Sequence, residues 1–377
     1  MARLSFSRRP SRGHPYQYQP VQDTQHPAVL HRVFRIPVII PILLVLTLLA
    51  AGVAIMGESL ASASASAPAE SHFQFSTVSG YFLQDDPNTD PEQFDYSATN
   101  FGLIPRAYEA DPDFDSEQKR TQWERFATEV HRLNRDSASN VFYKVLFLGR
   151  HGEGLHNVAE ARYGTELWDC YWSIQDGDET GSWVDARLTD LGIAQAELAH
   201  RTWEKQIETG IPAPQSYYVS PLNRCLATAS ITFKGLNMPL TDPFQPLIKE
   251  NLRETLGLHT CDSRSTKTAI TTEYPEYKIE PGFAETDPLY DPKLRESNSA
   301  RDARLLGFLQ DVFAHDDNTF LSMTAHSGAI TSILEVTGHR VFALSTGGVI
   351  PVLVRAERVD GPLPPREVEP PFPAPVC

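Results

Sequence analysis

The chain has 377 residues and a formal net charge of −15 at pH 7, with 33 Lys and Arg against 48 Asp and Glu. That length allows one large or two ordinary domains. The acidic balance excludes a general nucleic-acid binder, because affinity for a phosphate backbone comes from clustered Lys and Arg, so any basic groups that hold phosphate must be local.

Residues 1–32 are polar, dotted with aromatics and rich in Pro and Gln, the composition of a disordered tail. From Ile36 to Met56 no charged residue occurs, and a run of roughly 20 apolar residues is enough to cross the hydrocarbon of a bilayer as a helix. Arg3, Arg8, Arg9, Arg12, Arg32 and Arg35 precede it, while the first Lys or Arg after it is Arg106. This asymmetry predicts a single transmembrane signal anchor over 36–56. The N-terminus is then cytoplasmic and the remainder lumenal or extracellular. The alternative is a secretory signal cleaved in the Ala/Ser-rich stretch from Leu60 to Ala67. The length of the apolar run and of its basic leader favours the anchor. No Asn-x-Ser/Thr acceptor occurs, which weighs mildly against a glycosylating lumen.

Residues 57–71 read as a linker, and 72–358 as the folded domain. Its leading part, Phe73 to Leu133, is acidic but carries Phe73, Phe75, Tyr81, Phe82, Phe94 and Tyr96, too many aromatics for a linker, so it is expected to pack on the core. After Arg358 the repeated prolines of GPLPPREVEPPFPAPVC prevent regular structure, and 359–377 is read as a disordered tail.

Between these ends, strand-like and helix-like runs alternate, which predicts an α/β sandwich with helices on both faces of a mostly parallel sheet. Val141 to Leu148 reads as a nearly fully buried strand. A helix starts near Leu155. Thr189 is expected to cap another, with Leu191, Ala194 and Leu198 on its apolar stripe. Gln215–Val219 reads as a strand. Leu305, Leu306, Leu309, Val312 and Phe313 share one helical face, and Phe320–Thr324 follows as a strand. Ala329–Thr337 reads as a helix and Val349–Val354 as a last strand. The candidate polar residues stand where strands end, the edge at which open α/β sheets bind ligands. Cys170, Cys225, Cys261 and Cys377 lack the close pairs of a zinc or redox motif, so no metal is expected. Their even number permits disulfides in an oxidising compartment, although buried thiols are the preferred reading.

Arg150-His151-Gly152 comes directly after the buried strand, with Asn157 shortly behind. Read alone, His151 is a turn imidazole. In the right company a neutral imidazole there can take a phosphoryl group and split hydrolysis into two steps. The charge on the equatorial oxygens must then be met by fixed donors, a task that suits guanidinium groups. Arg224 in SPLNRCLATA and His326 in LSMTAHSGAI also follow strands, and ENLRETLG holds two carboxyls able to protonate a leaving group, Glu254 and its rival Glu250. Arg264 reads as an ordinary salt-bridging residue.

These segments resemble the histidine phosphatase superfamily, which includes the phosphoglycerate mutases. The signature elements stand in family order over roughly residues 72–358. ENLRETLGLHTCDSR, YFLQD and DARLTDLGIAQA look closest to its fungal phosphomutase-like branch. The resemblance implies a three-layer fold, needing neither metal nor organic cofactor, that acts on a small phosphorylated substrate. His151, Glu254, His326, Arg150 and Arg224 would be catalytic. Arg150, Asn157, Arg224, His326 and Ser327 would hold the substrate. The expected activity is phosphomonoester hydrolysis through a phosphohistidine at His151. The alternatives are a mutase-type phosphotransferase and a silent, membrane-tethered binder of phosphorylated ligands. The long stretch holding Trp168, Tyr171, Trp172 and Trp183, and the Thr-Leu-Gly-Leu-His after Glu254 where phosphoglycerate mutases have His-Tyr-Gly, set the chain apart from true mutases.

Overall fold

The computed structural model describes residues 70–377 apart from Gln118. The tail at 1–32, the apolar run at 36–56 and nearly all of the linker lie outside the described residues. Among the described residues no helix is long and apolar enough to cross a membrane.

In chain order the strands are β1 (Ser71–Thr77), β2 (Val141–Arg150), β3 (Gly177–Asp178), β4 (Gly181–Ser182), β5 (Ser216–Val219), β6 (Pro246–Ile248), β7 (Lys278–Ile279), β8 (Phe320–Ala325) and β9 (Val349–Asp360). The helices are α1 (Asp111–Phe114), α2 (Gln122–Asp136), α3 (Leu155–Tyr163), α4 (Thr165–Cys170), α5 (Asp190–Glu208), α6 (Asn223–Phe233), α7 (Lys267–Glu273), α8 (Asn298–His315) and α9 (Ser327–Val336). The main sheet runs β1-β9-β2-β8-β5-β6-β7, and β3 with β4 forms a separate two-stranded ribbon. Strands β2, β8, β5, β6 and β7 pair in parallel, while β9 is antiparallel to both β2 and β1. The sheet is therefore mostly parallel, with its antiparallel part at one side.

Strand β2 is apolar throughout its centre because both faces are covered. Leu146 and Leu148 pack with Leu305, Leu309 and Val312 of α8 and Ile330 and Ile333 of α9. Val145 and Phe147 pack on the other face with Trp123 and Phe126 of α2 and Trp203 of α5. This is the alternation that a strand buried on two sides requires. The aromatic leading segment belongs to both layers: Phe73 joins the first, and Tyr81, Phe82 and Tyr96 join the second. Its first residues, in β1, also extend the sheet.

Two expectations are corrected. Thr189 caps α5 through its hydroxyl, which accepts from Gly192 N, but the buried face of that helix is Gly192, Ala196, Ala199 and Trp203, whereas Leu191, Ala194 and Leu198 face outward. Close packing selects the small side chains here: a Cβ on Gly192 would fall 2.0 Å from the Glu153 carbonyl oxygen. Of the segment 359–377, the first two residues end β9 and the rest lacks regular structure, as its prolines dictate, yet it is tied down. Phe372 forms a two-way backbone bridge with Arg295, the Glu369 carbonyl accepts from Ser297 Oγ, and Cys377 is disulfide-bonded to Cys170 of α4. Cys225 and Cys261 are buried free thiols.

Candidate active site

Parallel pairing brings the candidate residues to one edge. Arg150 lies opposite Ala325 and Val219 opposite Thr324, so His151, His326 and Ser220 are the first residues beyond three adjacent strands. Backbone bonds continue the register past the strand ends, from His151 N to Ala325 O at 3.0 Å and from Ser220 N to Thr324 O at 3.1 Å. Carrying these side chains on strand ends restricts their freedom before any ligand arrives.

His151 is buried. Its Nδ1 lies 2.7 Å from the Gly152 carbonyl oxygen. A carbonyl can only accept, so the proton sits on Nδ1 and Nε2 keeps its lone pair. Burial, then the charges of Arg224 and Arg150, hold the ring well below the ordinary histidine pKa, so it is neutral. The loop is fixed from two directions: Gly152 N donates to Thr228 Oγ1 of α6 at 3.0 Å, and Glu153 N donates to Gln195 Oε1 of α5 at 2.7 Å. Residue 152 must be glycine for want of space, since a Cβ would fall 2.2 Å from the Gly192 carbonyl oxygen.

Arg224 is buried in the first turn of α6, and its guanidinium is aimed by the protein. Nε donates to His326 Nδ1 at 3.2 Å, Nη1 to Cys261 O at 2.6 Å, and Nη2 to Asp262 Oδ1 at 2.8 Å. Asp262 is itself held by Arg295 through Oδ2 and by Arg253 through its carbonyl oxygen. These groups were not singled out by sequence reasoning. The signal is the density of charge in ENLRETLGLHTCDSR, of which the sequence singles out only Glu250, Glu254 and Arg264. Arg150 donates from Nη1 to Leu344 O at 2.6 Å, and burial lowers its pKa while the nearby Glu254 works against that effect.

His326 lies beside His151, with ring centroids 5.1 Å apart. Both its nitrogens are already partnered: Nδ1 accepts from Arg224, so Nε2 carries the proton and donates to Ser220 Oγ at 2.8 Å. The expected phosphate-binding histidine thus also helps to orient Arg224. Asn157 is divided between two tasks, since its Oδ1 accepts from Gly154 N at 3.0 Å and only its amide hydrogens face no protein partner among the described residues. Ser327 is the first residue of α9 and half-buried.

Glu254 is separated from its rival by its partners. Its Oε2 accepts from Gly328 N at 2.8 Å at the start of α9, and its Oε1 accepts from Thr255 N and Thr255 Oγ1. The carboxylate thus sits at a helix N-terminus next to His326, a favoured place for an anion. Glu250 is taken by Arg253 and by Arg264, to which both its oxygens bond at 3.0 Å, and is structural. His259, Cys261 and Asp262 present ligand atoms within 4.8 Å of one another, but a cation there would compete with the two guanidinium groups that Asp262 already neutralises. Sequence reasoning also passed over His156, whose ring centroid is 5.4 Å from that of His151.

Comparison with known proteins shows the family. A profile described as histidine phosphatase superfamily, branch 1, matches residues 146–342. A probable phosphoglycerate mutase of Arthroderma benhamiae is 58% identical over 294 residues, covering 78% of this chain and 88% of its own length. A phosphomutase-like protein of Candida albicans is 35% identical, covering 75% of this chain and 81% of its own. A probable phosphoglycerate mutase of Saccharomyces cerevisiae is 36% identical, covering 59% and 82%. This chain belongs to the histidine phosphatase superfamily, a group whose chemistry is phosphoryl transfer through a histidine.

Proposed function

We propose that the protein is a phosphomonoester hydrolase that works through a phosphohistidine at His151. The observation that carries this reading is the His151 ring itself: neutral, with Nδ1–H fixed on the Gly152 carbonyl and Nε2 left with a lone pair at the sheet edge. Nε2 attacks phosphorus in line with the ester oxygen, forming the N–P bond as the P–O bond breaks. The guanidinium groups of Arg150 and Arg224 and the amide of Asn157 meet the charge on the equatorial oxygens. Glu254 gives its proton to the departing oxygen. Water then attacks the phosphohistidine, Glu254 takes a proton from it, and the N–P bond breaks to release phosphate.

The names of the relatives favour a second reading, a mutase, in which the same phosphohistidine passes its phosphoryl group to an acceptor hydroxyl faster than to water. One experiment covers both. Wild type and His151→Ala are offered a panel of small phosphomonoesters, among them the phosphoglycerates, while phosphate release and isomer exchange are followed. Phosphate release by wild type that collapses in the variant is the expected result. Equal release by both removes the proposal, and exchange without release replaces it with the mutase.

A further inference from the structure

We propose that His156 is a second imidazole donor to the phosphoryl group carried by His151, a role that rests on the phosphohistidine reading above. His156 is the second residue of α3, 9% exposed, with its ring centroid 5.4 Å from that of His151. Burial and then the nearby charge of Arg224 keep it neutral, so it lies in the same positive field as the nucleophile. Buried imidazoles that serve only packing have their nitrogens paired. His156 does not: Nδ1 is shut off from solvent without a hydrogen-bond partner, and no described residue bonds to Nε2.

The surroundings of Nδ1 assign the proton. This nitrogen faces Cα of Gly154, where a Cβ would fall 2.7 Å from Nδ1 and 2.8 Å from Cε1, with the Arg187 carbonyl oxygen next at 3.3 Å. A bare lone pair against an aliphatic carbon costs less than a buried, unpaired N–H, so the hydrogen belongs on Nε2. The same contact explains Gly154. Its φ of −107° is open to any residue, so glycine is required there by the space the ring occupies.

His326, which the motif order nominates for phosphate contact, has both nitrogens committed to Arg224 and Ser220. His156 has no such commitment at Nε2 among the described residues, and the ligand chemistry that satisfies its hydrogen is an oxygen of a tetrahedral oxyanion. His326 helps to aim Arg224, and His156 adds a donor to the group being transferred.

The test is binding of orthovanadate to the full chain, measured for wild type, His156→Phe, His156→Met and His156→Gln, alongside turnover. His156→Phe fills the ring's space without a donor. It is expected to weaken orthovanadate binding on the order of tenfold to a hundredfold, the range for one hydrogen bond to a charged group, and to lower kcat/KM to match. His156→Met carries the same expectation should the Phe variant not fold. His156→Gln, which returns an N–H, should recover part of the affinity. Orthovanadate affinity unchanged in the donorless variants overturns the proposal. The reading beneath it fails separately, if His151→Ala keeps the wild-type rate of phosphate release.

Discussion

Three nitrogens of Arg224 are held by three groups on two segments: the Cys261 carbonyl and the Asp262 carboxylate on one, the His326 ring on the other. A guanidinium constrained in this way loses little freedom when an oxyanion arrives, which is how a preorganised site stabilises developing charge. Asp262 matters as much as the arginine it aims, and nothing in its residue type announced this. Glu254 was legible because a carboxyl in that motif is expected to act as an acid. Its separation from Glu250 was not, since the two differ only in which arginines and amides surround them, and that is settled by the fold. Glu254→Gln should slow substrates with poor leaving groups by about 10²–10⁴, and p-nitrophenyl phosphate far less, because nitrophenolate leaves without a proton. Parallel rate measurements on an alkyl and a nitrophenyl ester check this, and equal slowing would remove the general-acid role.

At the scale of the element, strands were the more legible. A strand buried on both faces must be apolar at nearly every position, and Val141–Leu148, Gln215–Val219 and Phe320–Thr324 stand within about two residues of where composition places them. Helix α8 was equally plain, because its large side chains are the ones it buries. Helix α5 misled for the opposite reason. It approaches the His151 loop through Gly192, buries Ala196 and Ala199, and leaves Leu191 and Leu198 outside, so an apolar stripe drawn from the bulkiest residues picks the wrong face. This fixes a pair of expected stabilities. Ala196→Leu should destabilise by about 1–3 kcal/mol through overpacking, whereas Leu191→Ser should cost within about 0.5 kcal/mol, as surface changes do. Urea unfolding of the two variants decides, and the reverse ranking would show that the helix is rotated.

For the molecule as a whole, the fold class followed from alternation of elements, but the fate of 359–377 did not. Proline content says only that the segment forms no helix or strand, and its attachment depends on Arg295, Ser297 and Cys170, far away in sequence. Burial of several histidines has a consequence for stability. His151, His156 and His326 are held well below the ordinary value, and His259 is pushed down to about 4, in each case chiefly by burial. Below about pH 6.5 the unfolded chain binds protons at these positions that the folded chain refuses. Stability should therefore be full above that pH and fall on acidification toward pH 4, by up to about 1.4 kcal/mol per pH unit for each histidine. Asp185, raised by burial, works in the opposite sense. Urea midpoints at pH 7.5 and pH 5 test the sum, and equal midpoints would mean that these rings are not buried and neutral as described.

The central claim is that His151 carries the phosphoryl group. The most direct measurement is to quench the enzyme during turnover of a phosphomonoester under alkaline conditions, where phosphohistidine survives, and to map the modification by mass spectrometry of the digest. The account expects one phosphoryl group, lost on acid treatment and located at His151. A phosphoryl group on another residue, or none while phosphate is being released, would contradict it.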